Sequence, residues 1–239
     1  MKFKILTVMV ASLVSMSSMA VTFDYRHEMK DTQNRSHQDR LLISHRFDNG
    51  FGLSSEVKWK QAGKDTTPDR PYSEQVSNGT EVTASYLYKF NKMFNVESGF
   101  NLVTDSTGNT YRPYIRGGVN FTDSLYYTLR YRPFYQRFSE KINAPSNPDT
   151  NLKGYTITSV LGYKFLDNFT VEYELEYNKN TRAGVFRYDN DTDNVTHDVK
   201  LAYKIDKNWT PYVQLANVEY SGTSDERQTR YRIGVLYNF

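Results

Sequence analysis

Arginine recurs in this chain at short, even spacings: Arg130 with Arg132, Arg230 with Arg232, Arg112 with Arg116, and Arg26 and Arg40 in similar surroundings. A guanidinium is planar, charged at any biological pH, and forked so that it grips a carboxylate at two points. Groups at i and i+2 share a face only on an extended backbone, because a strand sends alternate side chains to opposite sides. The chemistry on offer is therefore repeated, reversible anion binding along strands. Each site must be attractive enough to admit the anion and weak enough to release it. Glu81, Glu97, Glu172, Glu174, Glu176 and Asp198 recur with the same alternation. Such carboxylates can pair with some of the arginines and moderate their strength. Tyr114, Tyr126 and Tyr212 share the polar parity and offer faces for stacking on sugar rings.

Other constellations fall short of a reaction. A hydrolase needs Ser, His and an orienting group within reach on one face. His27, His45, His197 and Ser55 share the apolar parity instead. His27 and His45 differ by about four residues in height, roughly 13 Å at the strand rise, which suits interfacial histidines. Glu172 and Glu174 suggest glycosidase chemistry, but on one strand they are expected to be balanced by neighbouring Lys and Arg. Asp189-Asn190-Asp191-Thr192-Asp193 is similar to the start of a calcium loop, yet lacks its Gly and distal Glu. It is read as the cap of a long loop. No catalytic group, metal site or cofactor is expected.

The elements that carry these residues alternate with period two from Val21 to the last residue. Val21, Phe23 and Tyr25 oppose Thr22, Asp24 and Arg26; Leu41, Ile43, His45 and Phe47 oppose Arg40, Ser44 and Arg46. Val82, Ala84, Tyr86, Tyr88 and Phe90 oppose Glu81, Thr83 and Lys89, and further segments run over 51–59, 94–102, 110–121, 125–137, 153–165, 169–177, 195–205, 209–218 and 227–239. A helical period would smear this pattern. Short Asx-bearing turns are expected at 48–50, 91–93, 122–124, 166–168 and 206–208. The other connections, such as 61–78, 138–152 and 178–194, are longer and polar. Short turns on one side and long loops on the other, with Tyr and Phe at strand ends, predict an all-β transmembrane barrel of about twelve antiparallel strands. A soluble sandwich would need its oily faces to meet in a core, which does not suit strands whose second face carries this many charges.

Composition agrees. Of 239 residues, 15% are aromatic and none is Cys, so neither a disordered chain nor a disulfide scaffold fits. The net charge of +3 falls to +1 without Lys2 and Lys4, too little basicity for a nucleic-acid partner. Those lysines, the apolar run Ile5–Val14 and the small-x-small Ser18-Met19-Ala20 predict an export leader over 1–20. Residues 21–239 are then one barrel. No later segment reaches the roughly 18 apolar residues of a spanning helix.

On a twelve-strand circle, Arg26, Arg40, Arg46, Arg230 and Arg232 form one basic stripe. Arg112, Arg116, Arg130 and Arg132 form a second stripe half a circumference away, with acidic walls between the two. Asp24-Tyr25-Arg26-His27-Glu28, Arg40 to His45, Ser55-Glu56-Val57-Lys58-Trp59, Arg130-Tyr131-Arg132-Pro133 and Asp225 to Arg232 resemble the oligogalacturonate-specific porins, over essentially the whole mature chain. The resemblance implies a monomeric outer-membrane channel for acidic oligosaccharides from pectin breakdown, with Arg130, Arg132, Arg230 and Arg232 in the pore lining. Related channels of the wider family pass sialic acid or other acidic sugars. The partners it implies are these substrates, outer-membrane lipid and lipopolysaccharide, and the barrel-assembly machinery, which would read the terminal strand ending in Phe239. An adhesive or structural barrel is the alternative from another class.

Overall fold

The computed structural model describes residues 21–31, 37–62, 72, 74–139 and 150–239. The expected leader and parts of the loops at 61–78 and 138–152 lie outside the described residues. Twelve strands follow one another: β1 Val21–Lys30, β2 His37–Arg46, β3 Phe51–Gln61, β4 Gln75–Lys89, β5 Phe94–Thr104, β6 Gly108–Asn120, β7 Leu125–Phe138, β8 Asn151–Phe165, β9 Phe169–Asn180, β10 Asp193–Tyr203, β11 Trp209–Glu219 and β12 Arg227–Asn238. Each pairs antiparallel with its neighbours in sequence, and β1 pairs with β12 from Thr22↔Asn238 to Lys30↔Arg230. Closure leaves no strand edge, which is what a sheet in lipid requires.

The two faces are sorted as the alternation predicts. Leu53, Val57, Val82, Ile115, Leu129, Val213 and Ile233 are exposed on the outside, while Asp24, Glu28, Glu56, Glu97 and Asp198 are buried inside. Aromatic contacts run around the ends of the band, as in Phe165–Phe169–Tyr203 at the turn side and Tyr131–Tyr155–Tyr177 toward the loops. Rings of this kind favour the headgroup level.

The short turns close largely by side-chain caps. Asn49 accepts from the Phe51 amide, Asn91 from Met93 and Phe94, Thr122 from Ser124 and Leu125, and Asp206 from Asn208 and Trp209. The turn at 166–168 works differently. Leu166 and Asp167 both adopt positive φ (47° and 59°), so left-handed backbone makes the reversal there, at a cost for the leucine.

Two features depart from the sequence expectation. The connection between β5 and β6 is a tight hairpin, not a long loop. Asp105 accepts from the Thr107 hydroxyl and from the amides of Thr107 and Gly108. Burial opposes ionisation of Asp105, but these hydrogen bonds win and hold its pKa below the usual carboxylate value. In β4, a bulge at Asn78-Gly79 sets two residues against Lys58 of β3, and Gly79 has φ 94°. A simple alternation cannot see it, because parity in β4 reverses beyond the bulge and sends Ser77 and Gln75 outward.

Candidate functional site

The lumen is a lattice of ion pairs rather than an apolar core. Near the turn side, Glu97 of β5 accepts from Arg46 of β2 at 3.1 Å, from Arg116 of β6 at 2.6 Å and from the Tyr114 hydroxyl at 2.5 Å. Arg40 of β2 pairs with Asp24 and reaches Glu56 at 3.3 Å. Arg232 of β12 binds Glu28 at 2.7 Å and approaches Asp198 at 3.5 Å, and Arg230 binds Asp198 at 2.8 Å. Lys200 meets Glu172 at 3.1 Å. The acidic residues Asp24 and Glu28 thus lie within the first basic stripe and Glu56 borders it from β3, whereas charge placement by strand puts only arginines there.

This makes the two stripes unequal. Among the described residues, every lumen-facing arginine on β12, β1 and β2 except Arg26 has a carboxylate within 4.0 Å. On β6 and β7 only Arg116 is closely paired among the described residues; Arg112 is 3.9 Å from Glu81. Arg130 donates to the Thr158 hydroxyl at 3.0 Å and Arg132 has no partner among the described residues. Neither has a carboxylate within 4.0 Å there. Arg132 and Arg112 line a cavity of about 430 Å3 on the loop side, and Arg26 and Arg40 line one of about 210 Å3 deeper in the lumen. The acidic walls are where the sequence puts them. Glu172 has its lysine, but Glu174 has no basic partner within 4.0 Å among the described residues, contrary to the expectation that both would be balanced.

The inward tyrosines follow one rule that alternation alone does not reveal. Tyr114 sits opposite Gly99, Tyr126 opposite Gly162 and Tyr212 opposite Gly234. A side chain at these glycines would meet the tyrosine ring at 2.5, 2.1 and 2.4 Å. Each ring therefore lies flat on bare backbone of the next strand. Each hydroxyl is held by a carboxylate: Tyr114 by Glu97, Tyr126 by Glu172 at 2.5 Å and Tyr212 by Asp24 at 2.7 Å. The rings are clamped to the wall, and only the face turned to the lumen remains for a sugar. Inward Tyr paired with Gly in register is a legible signal once the strands are aligned.

Two of the histidines sit in hydrogen-bond networks on the outer face. His27 is on the outer parity, with Nδ1 2.9 Å from Asp39 and Nε2 3.0 Å from His37, while Tyr25 and Gln75 also donate to Asp39. The bulge in β4 is what turns Gln75 toward this cluster. His197 bonds the Tyr173 hydroxyl at 2.7 Å. In the Asp-rich loop, Asp189 and Asn190 form a left-handed turn, Asp191 caps Thr192, and Asp193 pairs with Lys179 at 2.7 Å.

Residues 14–239 match the family described as oligogalacturonate-specific porin protein (KdgM). The chain belongs to this family. Oligogalacturonate-specific porin KdgM of Dickeya dadantii is 58% identical over 239 residues, covering 100% of both chains. A solved structure of KdgM porin in complex with disordered oligogalacturonate is 49% identical, with TM-score 0.69 over 91% of this chain and 99% of that one. The NanC porin structure, at 18% identity and TM-score 0.75 over 91% of this chain and all of that one, shares the fold. Membership of this porin family makes the barrel an outer-membrane channel protein.

Proposed function

We propose that this protein passes oligogalacturonates, acidic fragments of pectin, across the outer membrane by passive, selective diffusion. The observation that carries the reading is a closed, charged lumen in which Arg26, Arg130 and Arg132 keep guanidinium groups uncommitted to any described carboxylate. The relatives named above, one of them in complex with oligogalacturonate, support the same substrate class. A uronate chain presents one carboxylate per sugar. Arg130 and Arg132 offer it adjacent two-point donors, and Arg26 offers one across the lumen. The paired arginines Arg40, Arg112, Arg116, Arg230 and Arg232 contribute long-range field and can exchange a protein carboxylate for a substrate one. Because their own acids remain close by, the substrate carboxylate is not held too tightly to move on.

In this reading the lumen carboxylates are counter-ions, not acid–base catalysts. Residues 1–20 are an export leader and 21–239 a single monomeric barrel in contact with lipid and lipopolysaccharide, with the Phe239 strand as the signal to the assembly machinery. The test is conductance and reversal potential of the purified protein in a planar bilayer under a salt gradient. An open pore with anion preference is expected. Absence of an ion-conducting pore would end the channel reading; a strong preference for cations would end the substrate assignment. Equal flux of neutral and acidic sugars would likewise remove the selectivity.

A further inference from the structure

One arginine reaches the lumen from a loop. The connection after β9 folds back on itself: the Arg187 amide donates to the Asp191 carbonyl at 2.7 Å around the left-handed Asp189-Asn190 turn. The hairpin is laced to the β11–β12 loop by Asp189 N to Ser224 O at 3.1 Å, by Asn190 N to Gly222 O at 3.0 Å, and by the Tyr188 hydroxyl on the Asp225 carbonyl. Asn180, 3% exposed at the end of β9, ties the loop down from beneath. It donates to the Val185 carbonyl and accepts from Arg187 Nε, both at 2.9 Å.

These contacts aim the Arg187 guanidinium inward, over the Phe134 ring at 5.5 Å. Phe134 itself lies flat against Gly154 of the next strand. Arg187 lines the same cavity of about 430 Å3 as Arg112, Arg132 and Lys30, with Glu174, Glu176 and Glu219 on its other walls as the counter-charges that keep an anion exchangeable. Its Nε is committed to Asn180, but its terminal nitrogens have no acceptor and no carboxylate within 4.0 Å among the described residues. A fixed loop, an aromatic shelf and two unused donors make a positioned anion site at the extracellular mouth.

We propose that Arg187 is a specificity-determining residue that first captures the carboxylate of an incoming uronate chain and passes it to Arg132 and Arg112 on the β6–β7 wall. This rests on the substrate class proposed above. It adds a direction: capture from the loop side is faster than capture from the turn side.

The test uses single channels of the full protein, blocked by trigalacturonate added to one side at a time. The chain has no Cys, so a thiol introduced as Thr223→Cys and labelled from outside scores the polarity of insertion. In Arg187→Gln the association rate from the loop side should fall about three- to tenfold, with the rate from the turn side unchanged. Arg187→Lys, which keeps the charge and loses the fork, should retain most of the rate. If Gln and wild-type rates agree from both sides, Arg187 plays no part in capture. If Lys falls as far as Gln, the residue acts through loop geometry and not through charge, and the proposal fails. If trigalacturonate blocks wild type from neither side, the substrate reading itself fails, a result distinct from block that Arg187→Gln leaves intact.

Discussion

Replacing Arg130 and Arg132 together by Gln separates binding from stability in a way the rest of the lumen does not allow. Neither guanidinium neutralises a described carboxylate within 4.0 Å, and the one hydrogen bond, Arg130 to Thr158 at 3.0 Å, is to a neutral hydroxyl. Removing both charges breaks no direct ion pair and takes from Glu174 and Glu176 only a longer-range attraction, so the barrel should fold and its unfolding midpoint should stay near wild type. The substrate loses two attractions. Each is worth about 1 kcal/mol for unit charges 4 Å apart in water. About 2 kcal/mol corresponds to roughly 30-fold weaker binding. The assay is concentration-dependent current block by oligogalacturonate at fixed ionic strength, with a urea melt run in parallel. Raising the salt should shrink the difference, since screening shortens with ionic strength. Unchanged block with unchanged salt dependence would show that these arginines do not line the path. A barrel that no longer folds would show that they are structural after all.

Arg232→Gln should behave oppositely: it leaves Glu28 without its cation and Asp198 with Arg230 alone, and should lower stability by about 2 kcal/mol, visible as an earlier urea midpoint. Adding Glu28→Gln should recover part of that loss. Leu166→Asn relieves a leucine at φ 47° and should raise stability by about 1 kcal/mol; an unchanged midpoint would mean the turn relaxes freely. Gly162→Ala places a methyl where the Tyr126 ring lies, at 2.1 Å. It should push the ring off the wall, break its bond to Glu172 and lower single-channel conductance, and wild-type conductance would refute the clamp. The protein should run in SDS gels as a monomer that shifts only on heating, because every backbone group of a closed barrel is satisfied internally; a persistent trimer after mild extraction would contradict the monomeric assembly.

Much of the fold is legible because a strand's period of two is short and strict. The alternation of Leu41, Ile43 and His45 against Arg40, Ser44 and Arg46 needs no partner strand to be read, and the caps at Asn49, Asn91 and Asp206 follow from side-chain chemistry alone. Irregularity hides from the same reasoning. The bulge at Gly79 keeps local composition ordinary while reversing parity, and with it the outward cluster of Asp39, His27 and Gln75.

The lumen shows the same division. Facing parity is enough to turn Arg26, Arg40, Arg112, Arg116, Arg130, Arg132, Arg230 and Arg232 inward. Which of them are spent on protein carboxylates depends on register and side-chain reach between strands far apart in sequence. Arg232 with Glu28 spans 204 residues, and Arg46 reaches Glu97 on a strand that is not its neighbour. Arg187 was invisible for another reason: a loop residue has no parity, and only the lacing to the β11–β12 loop and the Asn180 anchor turn it inward.

The most direct test of the central claim is single-channel block by an oligogalacturonate compared with a neutral oligosaccharide of equal length. The unpaired guanidinium groups of Arg26, Arg130 and Arg132 predict block by the acidic chain alone, weakening as salt is raised. Equal block by both sugars, or block by neither, would contradict an arginine-lined path for acidic oligosaccharides.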